Sequence, residues 1–161
     1  MRLAPMTAGL AALIAAALTV GGSFAGDKDA SRAVLDPKTA HVKAEAGEIV
    51  LVDIRTPEEW RETGVPASAH AITMNQQPAA FLSALGSVAG TDKSKPIALI
   101  CRTGNRSAHL AAELRKAGFT NIFDVAEGVA GGRNGSGWLR AGLPLRKGAD
   151  VLARPVVAGA Q

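Results

Sequence analysis

The run Cys101-Arg102-Thr103-Gly104-Asn105-Arg106-Ser107 carries the chain's one thiol. It follows an apolar stretch, Pro96-Ile97-Ala98-Leu99-Ile100, and precedes a helix-like stretch expected over Ser107 to Phe119. A loop in that setting presents unpaired backbone N–H groups at the positive end of a helix dipole. Two arginines, Arg102 and Arg106, flank the sulfur within the same loop. Donors and positive charge of this kind favour a thiolate and bind an anion beside it. Gly104 relaxes the backbone so that it can curl around the sulfur, and Ser107 is expected to cap the following helix. A loop this tight has room for one sulfur plus a small terminal atom. A persulfide, Cys101–S–S⁻, fits that description, with Arg102, Thr103, Gly104, Asn105, Arg106 and Ser107 as its cradle.

Elements must place that loop. Asp36-Pro37 opens a helix that should run to about Ala46 and stop at Gly47. Ile49 to Ile54 is a nearly unbroken β-branched run, the mark of a strand covered on both faces. Thr56-Pro57-Glu58-Glu59 is a capping box that starts a short helix carrying Trp60 and ending at Gly64. Ala69 to Thr73 reads as a short strand and Pro78 to Leu85 as a helix. Pro96 to Ile100 is a second buried strand, and Asn121 to Val125 a third. The glycine-rich Glu127 to Gly137 must be a loop, and Trp138 to Leu143 a short helix or turn. Strands alternating with helices imply an α/β fold with a mainly parallel sheet. Ligands bind beyond the carboxyl ends of such strands, where Asp53, Arg55 and Cys101 all fall.

The chain has 161 residues, with a net charge of +4 at pH 7 spread along its length. No basic stripe interleaves with aromatics and tyrosine is absent, which argues against nucleic acid. His41, His70 and His109 lack metal-ligand spacing, so no metal and no cofactor are expected. Glu58, Glu59 and Glu62 read as the charged first turns of a helix rather than a general-acid pair. The 127–137 loop lacks the lysine of a phosphate-binding P-loop.

Residues 1–25 have the marks of a cleavable export signal: Arg2, an apolar run from Thr7 to Val20, and small residues Ser23 and Ala25 before the cleavage point. Residues 26–32 would be a leader, 33–147 the domain and 148–161 a flexible tail. A periplasmic location follows, with no membrane attachment after cleavage. A lone cysteine in an oxidising compartment is a liability unless it is used or hidden.

The thiol loop resembles the active-site loop of the rhodanese family of sulfurtransferases. Val52-Asp53-Ile54-Arg55-Thr56-Pro57-Glu58-Glu59-Trp60 resembles the family's first motif. Asn121 to Val125, with Gly128, Gly131, Gly132, Trp138 and Gly142-Leu143-Pro144, resembles its last. The likeness spans roughly residues 33–146, and the expected export signal makes the chain similar to small single-domain periplasmic members. It implies a doubly wound, five-stranded, mainly parallel sheet with helices on both faces. It also implies double displacement: Cys101 takes a sulfane sulfur from an anionic donor such as thiosulfate and passes it to cyanide or a thiol. Arg102 and Arg106 would bind the donor's anionic group, while Asp53 and Arg55 brace the neighbouring loops. The chain departs from many relatives at Gly64-Val65-Pro66-Ala67-Ser68-Ala69, which lacks their histidine. The stretch Gly131 to Gly137 is slightly longer than in the smallest members and is expected to shape the mouth of the site.

Two other readings compete. One is a persulfide carrier or sulfide-binding module serving an exported redox partner. The other is a phosphatase or arsenate reductase of the same fold, whose larger loop follows C-x(5)-R. Four residues separate Cys101 from Arg106 here, and the smaller loop favours sulfur over a phosphoryl group.

Overall fold

The computed structural model describes residues 33–153. The expected signal and leader, residues 1–32, lie outside them.

The strands and helices alternate. In chain order they are β1 (Val34–Leu35), α1 (Pro37–Glu45), β2 (Val50–Asp53), α2 (Pro57–Thr63), β3 (Val65–Pro66) and β4 (His70–Ala71). Next come α3 (Pro78–Ala89), β5 (Ile97–Ile100), α4 (Asn105–Lys116) and β6 (Ile122–Val125). The last are α5 (Gly137–Arg140), β7 (Leu145–Arg146) and α6 (Gly148–Leu152). Five strands form one sheet in the order β1-β6-β5-β2-β4, and every pairing in it is parallel. β3 and β7 form a separate antiparallel pair.

Side chains alternate across the sheet, so each strand serves two cores. Val52, Ile97 and Leu99 pack under α3 and α4 with Phe81, Leu85, Ala111 and Leu114. Leu51, Ala98 and Ile100 face the other way, against Ala40 of α1, Trp60 of α2 and Trp138 of α5. Each such aliphatic side chain contributes about 1.5–3 kcal/mol on full burial. Cys101 continues the 97–99 alternation onto the α4 side and belongs to that core. Strand register therefore aims the sulfur at the start of α4. Register also aligns the carboxyl ends: Asp53 of β2 lies opposite Ile100 of β5.

Asp36 caps α1 by accepting from the N–H groups of Lys38 and Thr39, both at 3.0 Å. The capping box of α2 is present, with Thr56 and Glu59 satisfying each other's backbone N–H groups. α3 runs past the expected end at Leu85 to Ala89, because Ala89 continues the buried face and Gly90 makes the stop. β1 carries no signal in two residues, and pairing with β6 creates it. The stretch given to a tail begins with α6, which packs on α2; Gly148 is buried against the Trp60 carbonyl oxygen, where there is no room for a Cβ. Residues 154–161 lie outside the description. Among the described residues no helix is long and apolar enough to cross a membrane.

One buried ion pair ties the ligand edge together. Asp53 and Arg55 are 0% and 1% exposed, and Arg55 Nη2 lies 2.6 Å from Asp53 Oδ2. Arg55 Nε also donates to Asp53 Oδ1 at 2.9 Å. Its remaining N–H groups donate to Thr63 Oγ1 at 2.7 Å and to the Gly64 carbonyl at 2.6 Å. The end of β2 is thus fastened to the end of α2. Asp53→Ala strands a buried guanidinium, so urea titration should show a loss of about 3–5 kcal/mol. A loss below about 1 kcal/mol would mean that water or a neighbour replaces the carboxylate.

Candidate active site

Gly104 closes the turn after Cys101 in the left-handed region, at φ +90°. Its N–H donates to Cys101 Sγ at 3.1 Å. Cys101 is 1% exposed. α4 begins at Asn105, so the N–H groups of Asn105, Arg106 and Ser107 make the helix's first turn.

That start overturns the expected role of Ser107. It sits inside the helix, fully buried, and does not cap it. Its hydroxyl lies 3.0 Å from the Gly104 carbonyl and 3.4 Å from Cys101 Sγ. A single hydroxyl proton serves one of these acceptors at a time. Charge on the sulfur would draw it from the carbonyl to Sγ.

The segment after β6 backs the loop. Val129 N–H donates to the Cys101 carbonyl at 2.8 Å, and Ala130 N–H to the Arg102 carbonyl at 2.9 Å. Gly128 permits this approach, since a Cβ there would lie 2.5 Å from the Arg102 carbonyl oxygen. Gly132 faces the Thr103 side chain, so the long glycine-rich loop does border the site. Glu127 Oε2 accepts from Gly137 N–H at 2.9 Å and closes that loop on itself.

The two loop arginines differ. Arg102 is exposed and makes no ion pair among the described residues. Arg106, expected with Arg102 to bind the donor's anionic group, is held in an ion pair. Its Nη1 and Nη2 grip Glu59 Oε2 and Oε1 at 2.9 and 2.6 Å. Glu59 raises the Arg106 pKa above its ordinary value against the cost of burial, and the charge of Cys101 adds to the rise. Burial alone would lift the Glu59 carboxyl. Hydrogen bonds from Arg106 and the Thr56 N–H, with the charges of Arg106 and Arg55, hold it below its usual range instead. The sequence places Glu59 in the capping box and charged first turn of a helix and in the motif that resembles the family's first. Its i+3 spacing from Thr56 signals only the capping half of its role.

A cavity of about 40 Å³ lies between Arg55, Glu59, Thr63, Arg102 and Val129. Larger concavities lie elsewhere. One of about 690 Å³ runs along α4 and shares only Gly104 and Asn105 with the sulfur loop. Cavity size therefore does not single out the thiol; the donors converging on Sγ set it apart.

Residues 36–134 match the model of the rhodanese-like domain. The chain belongs to the rhodanese-like family. It is 32% identical over 94 residues to the thiosulfate sulfurtransferase GlpE of Pseudomonas syringae pv. syringae, covering 58% of this chain and 80% of that one. A crystal structure of Rv0390 from M. tuberculosis superposes with a TM-score of 0.57 at 28% identity, over 71% of this chain and 97% of the other. A polysulfide-sulfur transferase homodimer from Wolinella succinogenes gives a TM-score of 0.53 at 29% identity, over 73% and 80%. The rhodanese-like sheet is the one described above, and these relatives support sulfur transfer as the general chemistry of the chain.

Proposed function

We propose that the protein is a thiosulfate-type sulfurtransferase that works through a Cys101 persulfide. The observation that carries this reading is the convergence of the Gly104 N–H and the Ser107 hydroxyl on Cys101 Sγ at the start of α4. The Cys101 thiolate attacks the sulfane sulfur of an anionic donor such as thiosulfate. A new S–S bond forms, and the donor's own S–S bond breaks. Sulfite leaves with the electron pair, and the charge passes to the outer sulfur of Cys101–S–S⁻. Cyanide or a thiolate then attacks that outer sulfur and restores the Cys101 thiolate. N–H groups of the loop from Arg102 to Arg106 cradle the outer sulfur, and Arg102 meets the donor's anionic group. Asp53 and Arg55 brace the strand end from which the loop springs. The export signal read in residues 1–25 would set this reaction in the periplasm.

Intact mass spectrometry tests both parts. Protein recovered from the periplasm should begin at Gly26. After incubation with thiosulfate it should gain the mass of one sulfur, and cyanide should remove it. Absence of any sulfur gain from thiosulfate or another sulfane donor would sink the sulfurtransferase reading.

A further inference from the structure

Three guanidinium groups lie around the sulfur loop: Arg55, Arg102 and Arg106. Two of them are already claimed. Asp53 holds Arg55, and Glu59 holds Arg106 through both carboxylate oxygens. Of these three, Arg102 alone is in no ion pair with a described residue.

The Glu59–Arg106 bridge is built, not incidental. Glu59 is 15% exposed and Arg106 33%, so water screens the pair only partly. Both ends are fixed by backbone. Glu59 sits in the capping box of α2, its Oε2 also accepting from Thr56 N–H at 3.0 Å. Arg106 sits in the first turn of α4, one residue from Ser107. The fork-to-fork geometry uses the same donors that would otherwise clasp an oxyanion.

We propose that Glu59 is a specificity-determining residue: by occupying Arg106 it leaves only one of the loop's own two guanidinium groups free, so that anionic donors and the sulfite they release are held weakly. This rests on the sulfurtransferase reading. Its logic is product release. Sulfite is itself an oxyanion and must leave before an acceptor can reach the persulfide. Two free arginines beside a helix N-terminus would trap it. One arginine, exposed to solvent, lets it go. Glu59 thus separates a loop that passes sulfur from a loop that retains oxyanions.

Sodium sulfite is the probe, titrated calorimetrically into full-length protein first cleared of bound sulfur with cyanide. Glu59→Gln keeps the size of the side chain and an oxygen for the Thr56 N–H, but it removes the charge that occupies Arg106. It should bind sulfite about tenfold more tightly than wild type, the usual effect of one charge-assisted contact. The double variant Glu59→Gln/Arg106→Gln removes the pair with no net change in charge. Its sulfite affinity should lie within about twofold of wild type, as the double-mutant cycle requires if Arg106 is not an anion ligand.

A Glu59→Gln protein no tighter than wild type would overturn the proposal. So would a double variant bound more than fivefold more weakly, since Arg106 would then be a ligand in the wild type. If Glu59→Gln fails to fold, the double variant decides alone. Sulfite binding is read without any turnover. A wild-type protein that gains no sulfur from thiosulfate sinks the reaction assigned to the site and leaves this charge ordering standing.

Discussion

Gly104→Ala should cost about 2–4 kcal/mol of stability and abolish sulfur loading. Two independent penalties meet at this residue. Its φ of +90° lies in the left-handed region, which strains any residue with a Cβ. An added Cβ would also lie 1.9 Å from the Ala126 carbonyl oxygen and 2.8 Å from its carbon. Those are backbone atoms of the segment leaving β6, and the same segment is hydrogen-bonded to Cys101 and Arg102 through Val129 and Ala130. Neither side can yield without breaking that seam. If the loop yields instead, the Gly104 N–H leaves Cys101 Sγ. Urea unfolding reads the first effect, and intact mass after thiosulfate reads the second. A variant that loads sulfur like wild type and loses less than about 1 kcal/mol would show that the turn has another conformation open to it.

Much of this loop was legible because its signals are local. Cys101, Gly104 and Arg106 stand within six residues of one another, next to a β-branched strand and an amphipathic helix. The Thr56–Glu59 capping box was legible for the same reason. It is a three-residue spacing whose two bonds are made by neighbours. The Glu59–Arg106 bridge was not legible. Its partners are 47 residues apart, and only the pairing of β2 beside β5 brings α2 against the start of α4. A charge reading along the chain counts Arg106 as free, whereas the fold spends it on Glu59. Ser107 misled in a related way. Serine is a good N-cap, but the glycine in the left-handed region started the helix two residues earlier and turned the hydroxyl inward to the sulfur. β1 and α6 escaped because neither has a pattern of its own. β1 exists through its register with β6, and α6 through the seat that Gly148 finds on the Trp60 carbonyl.

Cys101→Ala should reduce thiosulfate-to-cyanide turnover by more than about 10³-fold while leaving the fold intact. Alanine removes the nucleophile and, with it, the acceptor of the Gly104 N–H. Cys101 Sγ accepts from Gly104 and Ser107, but the Ser107 hydroxyl keeps the Gly104 carbonyl as a partner at 3.0 Å. The void of one sulfur together with the unpaired Gly104 N–H costs about 2–4 kcal/mol. Steady-state assay and urea titration separate the two effects. Residual turnover within tenfold of wild type would place the sulfur on some other group. The sequence offers little for that role, since it holds a single cysteine. The same fact governs discharge. No second thiol of this chain can attack the persulfide and close an internal disulfide. On the proposed mechanism the outer sulfur must therefore be taken by a nucleophile from solution. Loaded protein freed of thiosulfate should keep its sulfur and lose it at a rate first order in added cyanide. Discharge that proceeds at one rate whatever the acceptor concentration would mean that a step within the protein, not the external nucleophile, releases the sulfur.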